Sequence, residues 1–85
     1  MRDLVETVDA MLSPDYKERF KAEYWQVSIR MMRLFNLLQT WDTLEFKPKC
    51  DKTTLNMQYE YMKLYRKILL HRALIEGIDL EDEEE

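Results

Sequence analysis

From Phe20 to Trp41, large apolar side chains recur at alternating steps of four and three residues: Phe20, Tyr24, Val27, Met31, Leu34, Leu38 and Trp41. This is the seam of helices packed lengthwise, and a strand, whose side chains alternate faces at every residue, does not present it. Met57, Tyr61, Leu64, Ile68, His71, Ile75 and Ile78 repeat the alternation farther along. Between the two seams, the stretch from Asp42 to Asp51, with Pro48 in it, breaks the pattern and is short enough to join two antiparallel helices.

Local signals bound these helices. Ser13, Pro14 and Asp15 supply a cap oxygen, a proline for the first helical position and an acid for the first turn. Asp51 or Thr53 caps the next helix, and Gly77 ends it with Ile78 placed to fold back. Leu4, Val5, Val8, Met11 and Leu12 read as a shorter amphipathic helix before them. The expected fold is all-α: a short N-terminal helix at about residues 2–12 and two long antiparallel helices at about 14–41 and 52–76. These form a single domain, 1–78, followed by an acidic disordered tail, 79–85, since like charges repel and rarely pack.

Each long helix carries a second apolar stripe: Trp25, Met32 and Phe35 on the first, and Leu55, Met62, Tyr65 and Leu69 on the other. A hairpin covers only one stripe per helix, and so short a chain buries a limited share of its surface. The expectation is a homo-oligomeric helical bundle, with a dimer built on the first long helix as its minimum unit.

Composition excludes several function classes. One Cys and one His cannot build a structural zinc site, and one Gly in 85 residues leaves no phosphate-cradling glycine loop. His71 lies on a seam and Cys50 in the connection, so no nucleophile and base converge; the expectation is a protein without enzymatic activity, metal or cofactor. Seven acids fall in the last ten residues, which leaves residues 1–75 with thirteen Lys and Arg against ten Asp and Glu. That mild positive balance admits small anions but lacks the dense basic stripe of a duplex-DNA binder. Mean hydropathy is -0.56, with no membrane-length apolar run and no signal-peptide core at Met1-Arg2-Asp3-Leu4. A soluble, cytoplasmic protein is expected.

Aromatic and basic side chains interleave from Tyr16 to Trp25 and on to Arg30 and Arg33. Aromatic faces stack bases and guanidinium groups grip phosphates, so the mixture suits a nucleotide ligand. The run Ser13-Pro14-Asp15-Tyr16-Lys17-Glu18-Arg19-Phe20-Lys21-Ala22-Glu23-Tyr24-Trp25-Gln26, followed by Arg30 and Leu34, resembles the opening of a small phage and prophage protein family related to a crAss-phage protein. Met57, Tyr61 or Tyr65, Leu69, Arg72, Ala73 and Ile75-Glu76-Gly77-Ile78 resemble its second block, so the likeness spans about residues 13–80. That family includes anti-CBASS sponges, and the resemblance implies an oligomer in the bacterial host cytosol that sequesters cyclic di- and trinucleotides without cleaving them. It further implies ligand sites between subunits, with Tyr16 or Tyr24 as the aromatic, Arg33 as the basic residue, Arg30 adding to the same charged region, and Arg72 at a separate phosphate site. The other reading of the sequence is a helical interaction inhibitor or assembly adaptor acting through an apolar stripe or the acidic tail.

Overall fold

The computed structural model describes residues 4–80. Its elements are α1 (Thr7–Met11), α2 (Tyr16–Gln39), a single 3-10 turn (Trp41–Thr43) and α3 (Lys52–Glu76). Among the described residues there is no strand. Contacts from Tyr16 to Arg72, Tyr24 to Arg66 and Phe35 to Tyr59 run in opposite directions along the two long helices, which makes α2 and α3 an antiparallel hairpin. No described helix is long and apolar enough to cross a membrane.

The first helix is shorter than its apolar pattern implied. Thr7 donates its hydroxyl to the Leu4 carbonyl at 2.7 Å, and Thr7 and Val8 close i to i+3 turns on Leu4 and Val5, so regular α geometry begins only at Thr7. Of α1, only Thr7 and Ala10 are buried. Gln26 ties α1 to α2 by donating to Thr7 Oγ1 at 3.1 Å and to the Met11 sulfur.

α2 starts two residues later than expected. Asp15, extended at ψ 119°, takes the cap position and accepts from the Lys17 N–H at 3.0 Å. Ser13 instead accepts from the Asp15 N–H, so Pro14 precedes the helix. At the other end Thr40 turns its hydroxyl back on the Asn36 carbonyl, and Trp41 passes into the 3-10 turn. α3 runs from Lys52 to Glu76. Asp51 accepts from Thr54 at both its N–H and its hydroxyl, and Gly77 adopts φ 71° while the Ile78 N–H reaches the Ala73 carbonyl at 2.9 Å.

The Thr54 hydroxyl, helped by backbone N–H groups and opposed by desolvation, holds the Asp51 carboxyl below its ordinary value of 3.8. A carboxylate with a lowered folded pKa stabilises the fold above 3.8 and loses that contribution as pH falls through the lowered value. Asp51→Ala is therefore expected to lower the melting temperature at pH 7. Melts followed by circular dichroism across the acid range should show the gap to the parent closing below pH 3.8; a gap independent of pH would exclude the charged cap as its source.

The core lies toward the end of the hairpin opposite the connection. Phe20, Tyr24, Trp25 and Val27 of α2 pack with Leu69 and Ala73 of α3, and Ile78 and Leu80 close over them. Leu80 is 4% exposed. The packed unit thus extends past the expected boundary at 78, because Gly77 reverses the chain and returns two apolar side chains to the core. Of the expected tail, 81–85 lie outside the described residues.

The structure also reassigns the faces of the helices. On α2 the seam turns inward as expected, with Phe20, Tyr24, Val27, Leu34 and Leu38 buried. Trp25, assigned to the outer stripe, is fully buried, whereas Met32 and Phe35 remain exposed. On α3 the two stripes are exchanged. Leu55, Tyr59, Met62, Arg66, Leu69 and Ala73 face α2 as buried or half-buried residues, and Met57, Tyr61, Leu64, Ile68, His71 and Ile75 are exposed. Among the described α3 residues only Leu69 and Ala73 are buried outright.

Candidate functional site

The helix caps decide where the chemically useful side chains meet. Starting α2 at Tyr16 puts its phenol in the first turn, one turn before Phe20 on the same side. The antiparallel α3 brings Arg72 and Glu76 to that end. Arg72 donates to the Tyr16 hydroxyl at 2.7 Å, Tyr16 donates to Glu76 at 3.2 Å, and Arg72 and Glu76 form an ion pair at 3.8 Å. The Arg72 guanidinium lies 4.8 Å from the centre of the Phe20 ring, and Tyr16 packs on the same ring at 6.2 Å. Tyr16 is 44% exposed and Arg72 half-buried, so an aromatic side chain and a cation are presented together to solvent.

Two turns along α2 a second cluster is mostly interior. Arg66 donates to the Tyr24 hydroxyl at 2.7 Å and to Ser28 Oγ at 2.9 Å, with its guanidinium 5.2 Å from the Tyr24 ring centre. Tyr24 is buried edge-on against Trp25 at 5.0 Å, so it shapes the core and is not open to stack a base. The linear pattern of aromatic and basic residues does not single out Arg66. The available signal was a cation inside a heptad stripe that is otherwise Leu55, Tyr59, Met62, Leu69 and Ala73.

Arg30 borders a shallow cleft of about 230 Å³ with Glu23, Gln26, Val27, Met62 and Tyr65, in which Tyr65 donates to Glu23. Arg33 is exposed three residues farther on. At 1.5 Å per residue, Tyr16 and Arg33 are about 25 Å apart along α2, so one small ligand cannot touch both in the same chain. The structure therefore pairs Tyr16 with Arg72, places Arg30 and Arg33 in a separate region, and withdraws Tyr24 into the core. A larger cavity of about 500 Å³, between the end of α3 and its return at Ile78 and Leu80, is lined mainly by apolar residues and holds no cation.

No group of three or more His, Cys, Asp or Glu among the described residues is placed to hold a metal ion. What Tyr16 and Arg72 offer, seated on the buried Phe20 ring, is recognition: stacking surface, a hydroxyl and a guanidinium whose ion pair with Glu76 a phosphate can replace. No curated protein and no solved structure matches the chain. A family model described as Sequestin matches residues 14–75, which takes in Tyr16, Tyr24, Arg30, Arg33, Arg66 and Arg72 and stops one residue short of Glu76. With a match over most of its length, the chain belongs to the Sequestin family.

Proposed function

We propose that this protein sequesters cyclic di- and trinucleotides, the signals of bacterial antiviral defence, and withholds them from their effectors without cleaving them. Membership of a family named for sequestration carries the reading. Its chemistry is supplied by the exposed Tyr16 and half-buried Arg72 at one end and by Arg30 and Arg33 farther along α2. Because those groups are too far apart to share one small ligand within a chain, the sites for a symmetric cyclic ligand lie where two copies meet. Sequestration works by mass action, so the site concentration must exceed that of the signal and the dissociation constant must lie below it.

The test is to incubate the purified protein with a panel of cyclic di- and trinucleotides, remove free ligand, and heat-denature the complex. Recovery of intact ligand, in proportion to the protein, is the expected result. Recovery of linear products would replace sequestration with hydrolysis. No retained ligand across the panel would favour a protein-interaction inhibitor, the reading to which the exposed apolar face of α3 lends support. A charge variant separates the two regions: Arg33→Ala is expected to lower cyclic dinucleotide affinity about tenfold to a hundredfold for each charged hydrogen bond lost, by calorimetry, while leaving the melting temperature unchanged.

A further inference from the structure

The outward face of α3 is apolar over most of its length. Met57 is 53% exposed, Tyr61 66%, Leu64 54%, Ile68 58% and Ile75 71%. They follow the alternating heptad steps of a seam and lie about 160° around the helix from the stripe that meets α2. A second helix can therefore pack on this face without disturbing the hairpin, and nothing in the described chain covers it.

We propose that α3 pairs with α3 of a second copy in an antiparallel, two-fold symmetric coiled coil. With Tyr61, Ile68 and Ile75 as one core position of the heptad and Met57, Leu64 and His71 as the other, the flanking positions are Glu60, Lys67 and Leu74 on one side and Gln58, Tyr65 and Arg72 on the other. Packing Tyr61 against the partner's Leu64, and Met57 against the partner's Ile68, sets Glu60 opposite the partner's Lys67. Two-fold symmetry makes that pair twice. On the other flank Gln58 meets the partner's Tyr65, while the Arg72 guanidinium stays on Tyr16 and Phe20 of its own chain, so no like charges meet.

The alternatives are worse on charge. A parallel pair sets Lys67 against the partner's Arg72 twice, and sliding the antiparallel pair by one heptad sets Lys67 against its own symmetry mate. Glu60 and Lys67 lie at the rim, where ion pairs select orientation and register more than they add affinity. The apolar layers supply the association. This pairing leaves Arg30 and Arg33 on α2 outside the contact.

Light scattering on the ligand-free protein at micromolar concentration is expected to give at least twice the 10.5 kDa chain mass. Ile68→Asp is expected to lower that mass while keeping the helical circular dichroism signal, since Ile68 has no place in the core of the single chain. Glu60→Lys is expected to raise the dissociation constant of the α3 pair about tenfold, and Glu60→Lys with Lys67→Glu to restore it. A monomeric parent, an assembly indifferent to Ile68→Asp, or a charge reversal without rescue would each overturn the proposal. A helical signal lost in Ile68→Asp would also count against it, since the side chain would then be needed inside the single chain.

Discussion

Trp25→Ala is expected to lower the melting temperature by about 15 °C or more, and to leave much of the protein unfolded at 37 °C. The indole is fully buried, packs edge-on against Tyr24, and belongs to the cluster that Leu69, Ala73, Ile78 and Leu80 complete. Truncating a buried aromatic to Ala costs about 3 to 5 kcal/mol through lost burial and the cavity left behind. A chain of this length has about 4 to 13 kcal/mol in all, and each kcal/mol moves the midpoint of so small a domain by about 4 to 8 °C. The Trp25 Nε1 has no hydrogen-bond partner among the described residues. Trp25→Phe, which removes that N–H while keeping a ring, should accordingly recover most of the loss. A drop of only a few degrees in Trp25→Ala, read by circular dichroism melts, would contradict the core placement and return Trp25 to an outer, intersubunit role.

The second large effect concerns ligand. Tyr16→Ala and Arg72→Ala are each expected to weaken cyclic oligonucleotide binding about tenfold to a hundredfold, equivalent to about 1.5 to 3 kcal/mol for a charged hydrogen bond. The double variant should be little worse than either single one. Arg72 is oriented by its 2.7 Å bond to the Tyr16 hydroxyl and by the Phe20 ring, so removing one partner disorders the other, and residues that share a bond are non-additive. Glu76→Gln should move affinity the opposite way, because its carboxylate competes with a phosphate for Arg72 from 3.8 Å. Calorimetry on the four variants checks this; full additivity of the two alanine substitutions would divide the cluster into unrelated residues. Neither alanine variant should greatly alter stability, since both side chains lie at the solvent boundary.

These effects differ from what the linear pattern implied, and the reasons are local. Tyr24 and Tyr16 are both aromatic residues at helical spacing among basic ones, but Tyr24 lies beside Ser28 and opposite Arg66 in the interior of the hairpin and Tyr16 at its end. Which tyrosine faces solvent depends on where α3 begins and ends against α2, a relation between residues more than forty positions apart. Arg72 and Tyr16 became partners for the same reason, although the resemblance had assigned them to different sites.

What the chain determined by itself is its helical character, its hairpin and its caps, all of which rest on short-range chemistry. Asp15 and Asp51 accept N–H groups a few residues ahead, Gly77 alone tolerates the left-handed turn at φ 71°, and Pro48 sits in a stretch that no helix includes. The tertiary structure alone decided which face of each helix turns inward. α3 carries two heptad stripes on nearly opposite sides, and the outer one, with Leu64, Ile68 and Ile75, is at least as apolar as the one that is buried, so periodicity could not choose between them. The choice follows from fit: Leu69 and Ala73 leave room for Tyr24 and Trp25 to pack closely between the helices, Arg66 finds two hydroxyls on α2, and Ile78 and Leu80 return over the same side.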